Sequence, residues 1–380
     1  MAYDDVMRQR VLLGGERLVL LSKAGMVGWD EVAAASALLA ESAELAPGMR
    51  VLLLEGGTGA LAVWAARHGA DVHYYDGSLI AARMARQTLD ANTVADVTIH
   101  EAACPPPEEA GAFDLALLPL PKGRAYTQAL FGEACRALRP GGRLYFAGPN
   151  AGGAKAMVGD AKAIFGHAVT VRTKARNRIA MAIRQPGTPG PLPLLEPQPF
   201  EALGLTLFSM PGVFSRGELD DGTAMLLGTL DAAQCARKRV LDVGCGCGVI
   251  GLVAARLGAA AVDLIDSQWV ALACAAEGIA ANGLEAVCSV WGSDLYSDVV
   301  GEPYDLILSN PPFHAGHKVD TGAAVALIAG ARERLQRGGR LRLVANRFLP
   351  YDRLMADAFG AGRVAVVAED SRYRVLEAVR

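Results

Sequence analysis

No apolar run in this chain approaches the ~20 residues needed to span a bilayer. The opening Met1-Ala2-Tyr3-Asp4-Asp5 lacks the basic and apolar regions of a secretory signal. A membrane partner is therefore not expected, and a cytoplasmic location is. A dominant charge sign is missing too. With 37 Lys and Arg against 40 Asp and Glu the net charge is −3, which argues against non-specific coating of nucleic acid and leaves room for a local patch. The seven cysteines, Cys104, Cys135, Cys235, Cys245, Cys247, Cys274 and Cys288, are odd in number and show neither a disulfide framework nor paired C-x-x-C spacing. Cys245 and Cys247 have no His or Cys partner nearby in sequence, so they read as small residues of a tight turn and no metal is expected.

What is present is small and apolar. Hydrophobic residues make up 52% of 380, enough for two domains, each with its own core. Ala, Gly, Leu and Val dominate, as in α/β proteins whose helices pack on parallel strands buried on both faces. In the second half Val240-Leu241-Asp242-Val243-Gly244-Cys245-Gly246-Cys247-Gly248-Val249 reads as a buried strand, a Gly-rich turn and a helix start. The pattern is G-x-G-x-G and not the G-x-G-x-x-G dinucleotide fingerprint. The next strand, Ala261-Val262-Asp263-Leu264-Ile265, delivers Asp266 at its carboxyl end, where an acid can take both hydroxyls of a ribose and where ligands of open α/β sheets bind. A third strand, Tyr304 to Ser309, stops on Asn310-Pro311-Pro312-Phe313. Two prolines donate no backbone hydrogen bond and each fixes φ near −65°, so the turn is stiff. It aims the Asn310 carboxamide and the Pro311 carbonyl at one point, beside the flat Phe313. That corner suits an –NH2 group on a planar ring. Turn, acid and Asn-Pro-Pro-Phe in this order point to S-adenosylmethionine as the cofactor.

The first half repeats the second. Val51 to Ala60 follows the pattern of Val240 to Val249, Asp76 parallels Asp266, Asn92 parallels Asn282, and Leu138 to Leu144 parallels Leu335 to Leu341. A duplication of a whole domain is implied, with a degenerate half at 1–185, a Pro-rich linker at 186–199 and a catalytic half at 200–380. The halves differ in chemistry. Leu53 and Glu55 stand where the second half has Asp242 and Gly244, and Pro119-Leu120-Pro121-Lys122 stands where it has Asn310-Pro311-Pro312-Phe313.

With Pro211 to Arg216, Leu219 to Thr223, Phe313 to Gly316 and Leu343 to Tyr351 added to these motifs, the chain resembles the ribosomal RNA guanine-N2 methyltransferases of the RsmC/RlmG type over almost its full length. The resemblance implies two tandem Rossmann-like class I methyltransferase domains, mainly parallel sheets flanked by helices. It also implies methylation of one guanine N2 amine in small-subunit rRNA, with S-adenosylmethionine as donor. On the matching positions Asn310, Pro311, Pro312 and Phe313 are the catalytic set. Gly244, Gly246 and Gly248 would pass the methionine moiety, with Asp242 in the same motif. Asp266 takes the ribose and Asp294 the adenine amine, while Phe214, Asp220 and Thr223 close over the methionine amine and carboxylate. Asp220 and Thr223 also read as the cap of a helix beginning there.

RNA has to be held as well. Val171 to Ile179 alternates with period two, which would put Arg172, Lys174, Arg176 and Arg178 on one face of one strand as a phosphate stripe. A charged edge strand that discourages aggregation explains the pattern equally well. His314 and His317 line the loop, contact phosphate, or serve as a base. The partner is expected to be ribosomal RNA or a small-subunit particle, and the chain a monomer. The same corner would serve a methyltransferase acting on adenine N6 or a glutamine amide, and a non-catalytic RNA-binding or ribosome assembly protein is the reading from another class.

Overall fold

The computed structural model describes residues 2–26, 34–187, 192–215, 217–311 and 321–380. The chain divides into two compact units, Tyr3–Glu196 and Pro197–Arg380. The first contains β1 (Met7–Leu13), β2 (Glu16–Ser22), α1 (Ala34–Ser42), β3 (Arg50–Leu54), α2 (Ala60–Arg67), β4 (Asp71–Tyr75) and α3 (Leu79–Ala91). It continues through β5 (Val97–Ile99), β6 (Phe113–Pro119), α4 (Arg124–Ala137), β7 (Leu138–Pro149), α5 (Ala154–Phe165), β8 (Gly166–Lys174) and β9 (Asn177–Arg184). The second contains β10 (Gln198–Ala202), β11 (Leu205–Ser209), α6 (Asp221–Leu227), α7 (Ala232–Cys235), β12 (Arg239–Val243), α8 (Val249–Arg256) and β13 (Ala261–Asp266). It ends with α9 (Trp269–Ala281), β14 (Cys288–Gly292), β15 (Tyr304–Ser309), α10 (Thr321–Arg334), β16 (Leu335–Asn346), α11 (Tyr351–Phe359), β17 (Val364–Glu369) and β18 (Tyr373–Val379).

Each unit is a seven-stranded, mainly parallel sheet, as the apolar strands predict. The orders are β5-β4-β3-β6-β7-β9-β8 and β14-β13-β12-β15-β16-β18-β17, the same ordinal pattern twice. Strand residues alternate between two cores, because successive side chains point to opposite faces. In the second unit Val240, Leu306, Leu308, Val344 and Val375 enter one core, and Leu241, Ile307, Leu343 and Leu376 the other. Val51, Leu53, Leu115 and Leu117 in the first unit likewise oppose Leu52, Leu54, Ala116 and Leu118. Burial on both faces is why these strands read as continuous apolar runs. The Pro-rich stretch is not a free spacer throughout. Leu192 and Leu195 pack on the core of the first unit, the Leu195 N–H donates to Glu133 at 2.9 Å, and β10 already begins at Gln198.

Two side-chain ties recur in both units. The Arg50 and Arg239 N–H groups donate to Asp114 and Asp305, each at 2.8 Å, joining β3 to β6 and β12 to β15. Asn282 at the end of α9 donates to the Thr206 carbonyl at 2.7 Å and to the Gly278 carbonyl at 2.7 Å, and accepts the Thr206 N–H at 3.2 Å. Asn92 does the same for Val19 and Thr88. A backbone group left without its partner costs about 1–3 kcal/mol, so Asn282→Ala is expected to lower the stability of the second unit by that amount. The measurement is the urea midpoint; a midpoint equal to that of the wild type would mean that the hairpin β10–β11 is held without this amide.

Candidate active site

The carboxyl ends of four neighbouring strands carry the residues singled out in the second half. In the order β14, β13, β12, β15 these are Asp294 two residues past β14, Asp266 ending β13, the turn Gly244–Gly248 after β12, and Asn310 after β15. At ~4.8 Å per strand the row runs about 14 Å. It crosses the point where the chain switches from one side of β12 to the other, the place where open α/β sheets bind ligands.

The turn has the required backbone. Gly244, Gly246 and Gly248 have φ of 71°, 55° and 84°, a region in which a Cβ is strained. Their roles separate on space. A Cβ built on Gly244 or Gly246 meets nothing within 4 Å, whereas one on Gly248 would lie 3.1 Å from Leu264 and 3.2 Å from Ala275. The first two thus present open backbone, and the third lets α8 approach β13 and α9. Asp242, the acid of the same motif, is fully buried. Its Oδ2 accepts the Gly251 N–H at 2.9 Å in the first turn of α8, and its Oδ1 has no partner among the described residues. The period of the strand sets this placement, since Asp242 points into the layer that receives α8. Burial raises its pKa to about 7. Burial also pushes up the thiols of Cys245 and Cys247.

Asp266 closes the turn from the side. It accepts the Gly246 N–H and the Gln268 N–H, both at 2.9 Å. Burial raises its pKa while these N–H groups and that of Ser267 oppose the shift. A carboxylate has about four lone-pair sites, so part of its accepting capacity remains for ligand hydroxyls. Asp294 is buried and its N–H donates to the Ser297 Oγ at 3.2 Å.

Asn310 is held by residues expected elsewhere. Its Nδ2 donates to Asp220 Oδ2 at 3.1 Å and to Thr223 Oγ1 at 2.8 Å. Asp220 is also the N-cap of α6, accepting the Thr223 N–H at 3.0 Å. Both residues, predicted at the methionine end of a cofactor, therefore meet Asn310 directly. Among the described residues the Asn310 Oδ1 accepts nothing. Pro311 is buried, and the Ser309 hydroxyl donates to the Val243 carbonyl at 2.8 Å, fastening the end of β15 to that of β12. Phe214 is 62% exposed. Pro312, Phe313, His314 and His317 lie outside the described residues. The link from Asn310 to Asp220 was missed in the sequence, where 90 residues separate them. A cavity of about 390 Å³ lined by Leu203, Leu219, Leu227 and Leu257, with Arg256 its one charged lining residue, is distinct from this row.

The first unit repeats the turn and fills it. Glu55, Gly57 and Gly59 have φ of 54°, 57° and 80°, and Asp76 accepts the Gly57 and Ser78 N–H groups, both at 2.9 Å. Where Gly244 is open, the Glu55 side chain reaches the Gly77 N–H at 3.0 Å and the Tyr126 hydroxyl at 2.8 Å. Tyr74 adds a hydroxyl donated to Asp76 at 3.1 Å. The Glu55 carboxylate thus spans from the turn after β3 to the start of α4.

The predicted cationic stripe is a hairpin. Ala175 and Arg176, with φ of 47° and 63°, turn the chain between β8 and β9. Arg172 and Lys174 share one face and pair with Glu41 at 2.6 and 2.8 Å. Arg176 sits in the turn, and Arg178 bonds Asn150 at 3.1 Å and Thr170 at 2.8 Å from the opposite face. Two successive left-handed residues reverse the chain, so the period-two count cannot run through them.

The family described as Methyltransferase small domain matches this chain twice, at residues 17–180 and 204–377. A ribosomal RNA small subunit methyltransferase C of Chromohalobacter salexigens is 49% identical over 183 residues, covering 48% of this chain and 53% of that protein. The chain thus spans about half the length of that relative. One of Aeromonas hydrophila is 36% identical over 277 residues, covering 69% of this chain and 76% of that protein. Among solved structures, the T. Thermophilus 16S rRNA N2 methyltransferase RsmC, in complex with AdoMet and guanosine, is similar with a TM-score of 0.81 and 32% identity, covering 100% of this chain and 99% of that one.

The paired carboxylates of the first unit generate a pH dependence. Burial and the neighbouring Glu55 raise the Asp76 pKa to about 8, and burial raises that of Glu55. The folded chain then holds a proton that the unfolded chain releases near pH 4, so stability falls as pH rises from about 4 to 8. Urea titrations of the wild type and Asp76→Asn should show the smaller loss between pH 6 and 8 in the variant. Equal losses would mean that Asp76 is already ionised in the folded chain.

Proposed function

Because the chain belongs to the methyltransferase small domain family, we propose that it transfers a methyl group from S-adenosylmethionine to the exocyclic N2 amine of a guanine in 16S ribosomal RNA. The observation that carries this reading is the Asn310 amide, held through its nitrogen so that, among the described residues, its oxygen is left as an acceptor at the strand ends. The two similar rRNA methyltransferases and the RsmC structure support the substrate and donor classes.

The residues present fit the donor. Gly244 and Gly246 offer open backbone beside Asp266, which retains accepting capacity for two hydroxyls. Gly244 and Gly246 would hold its methionine part, Asp266 its ribose and Asp294 its adenine amine. When bound, it supplies an electrophilic methyl on a sulfonium. Everything else falls to the protein. The N2 lone pair is delocalised into the guanine ring and is a poor nucleophile until the nitrogen becomes pyramidal. Asn310 Oδ1 and the Pro311 carbonyl accept its two N–H bonds and turn the lone pair toward the methyl. Positioning contributes up to ~7–11 kcal/mol in the best intramolecular models. The amine becomes acidic as the new bond forms, and its proton leaves along the bond to Asn310 or to water.

Such a base must be unstacked, and an aromatic face receives it; Phe313 is proposed for this, with Pro312 stiffening the corner. The second unit is assigned the chemistry. In the first, the Glu55 carboxylate lies across the equivalent crevice and Pro119 replaces Asn310, which supports a structural or RNA-holding role. Arg172, Lys174, Arg176 and Arg178, together with His314 and His317, remain proposed phosphate contacts.

Asn310→Ala is expected to lower kcat by about 10²–10³-fold, the loss found when one preorganised polar group is removed from a reacting centre, with donor affinity retained. Methyl incorporation into 16S rRNA measures it. Nucleoside mass spectrometry of rRNA from cells lacking the protein should show the loss of one N2-methylguanosine. Persistence of that nucleoside while another modified base vanishes would overturn the guanine assignment.

A further inference from the structure

We propose that Asp220 is the positioning residue that sets the polarity of Asn310, turning its Oδ1 toward the substrate amine and its Nδ2 away. The inference rests on the methyltransferase reading above and adds to it a residue that selects for a donor group on the substrate. A carboxamide has two ends of almost the same shape and opposite hydrogen-bonding sense. Local packing cannot tell them apart; a neighbouring group that only accepts can. An Asp220 carboxylate oxygen lies 3.1 Å from Asn310 Nδ2, and a flipped amide would set oxygen against oxygen there.

Thr223 alone does not decide the matter, because a hydroxyl both donates and accepts. Its Oγ1 lies 2.8 Å from the same Nδ2 and 3.4 Å from Asp220 Oδ2. The Thr223 hydroxyl donates to Asp220, which leaves the Oγ1 lone pairs for Asn310. One oxygen, Asp220 Oδ2, thereby gathers the Thr223 N–H at 3.0 Å, the Thr223 hydroxyl and the Asn310 amide. Among the described residues both Asn310 N–H groups are used, and its side chain is left with one acceptor, Oδ1. An –NH2 group satisfies it and a carbonyl does not. Asp220 and Thr223 thus act on the substrate through Asn310, in place of the direct contact with the methionine part of the donor expected from the sequence.

The test separates this role from helix capping and from donor binding. Asparagine caps helices as well as aspartate, so Asp220→Asn in the full chain keeps α6 while removing the acceptor-only partner. Methyl transfer to unmodified 16S rRNA and to small subunits, with donor affinity by calorimetry, should show kcat reduced ten- to a hundredfold and the Kd for S-adenosylmethionine unchanged within about twofold. Thr223→Ser should retain most of the activity that Thr223→Val loses.

A polarity swap provides the strictest readout. Asn310→Asp alone sets two carboxylates against each other, whereas the double variant Asp220→Asn/Asn310→Asp restores one donor against one acceptor and leaves an oxygen facing the amine. The double variant should be at least tenfold more active than Asn310→Asp. A raised Kd for the donor with kcat unchanged in Asp220→Asn would assign Asp220 to the cofactor and overturn the proposal, as would a double variant no better than Asn310→Asp. A wild-type protein that methylates no guanine N2 would bring down the functional reading and this inference together, while an active wild type with either contrary result removes the inference alone.

Discussion

The Gly246 N–H donates to Asp266 across 2.9 Å, and the usable shape of the second sheet depends on that bond. A turn of left-handed glycines has little intrinsic preference for one conformation, since glycine loses more freedom on ordering than any other residue. The carboxylate compensates by accepting from the turn and from the Gln268 N–H entering α9. It thus fixes the carboxyl end of β12 relative to that of β13. On the other side of β12 the Ser309 hydroxyl donates to the Val243 carbonyl, which fixes β15. Three strand ends are held by bonds that involve their final residues and not only the ladder behind them. The row from Asp266 to Asn310 inherits its spacing from these ties.

The two units show which parts of such a frame tolerate change. The bond from turn to acid recurs at the same 2.9 Å, the Arg-to-Asp strand tie at the same 2.8 Å, and the Asn anchor of the leading hairpin with the same three partners. All of these join part-buried backbone groups that would otherwise lack a protein partner, so losing one weakens the frame. The open face of the turn carries no such load. Replacement of a glycine there by Glu55 keeps the left-handed φ at some strain, and the side chain recovers it through Gly77 and Tyr126. The crevice of the first unit is occupied by its own Glu55 side chain, while the frame beneath it is kept.

The fold was legible in the sequence because buried parallel strands must be apolar on both faces, and the glycines, Asp266 and the prolines after Asn310 each leave a residue-type signal. The missed features involve direction and distance. Asp242 carries the same letter whatever it faces, and only the pleat turns it toward the Gly251 N–H of α8. The turn at Ala175-Arg176 carries neither Asn nor Gly, so nothing marked a chain reversal where alternation continued on both sides. Glu41 lies far from Arg172 and Lys174 in sequence and partly neutralises the stripe that composition suggested. The partners of Asn310 are 87 and 90 residues away, beyond any local pattern.

That separation has a chemical consequence. An acceptor on a stiff Pro-bounded turn is placed by its own backbone, yet rotation about the side-chain torsion leaves open which end of the carboxamide faces out. The turn sets position, and a distant acid sets polarity. Placing the acid at a helix N-cap gives it a second task, so the orientation of Asn310 and the integrity of α6 rest on the same oxygen. Reorganisation at the moment of reaction is then small, since the acceptor is already turned outward before any amine arrives. In the proposed reaction, preorganisation of this kind lets a neutral carboxamide, which cannot act as a strong base, direct methyl transfer to a nitrogen that is itself a weak nucleophile.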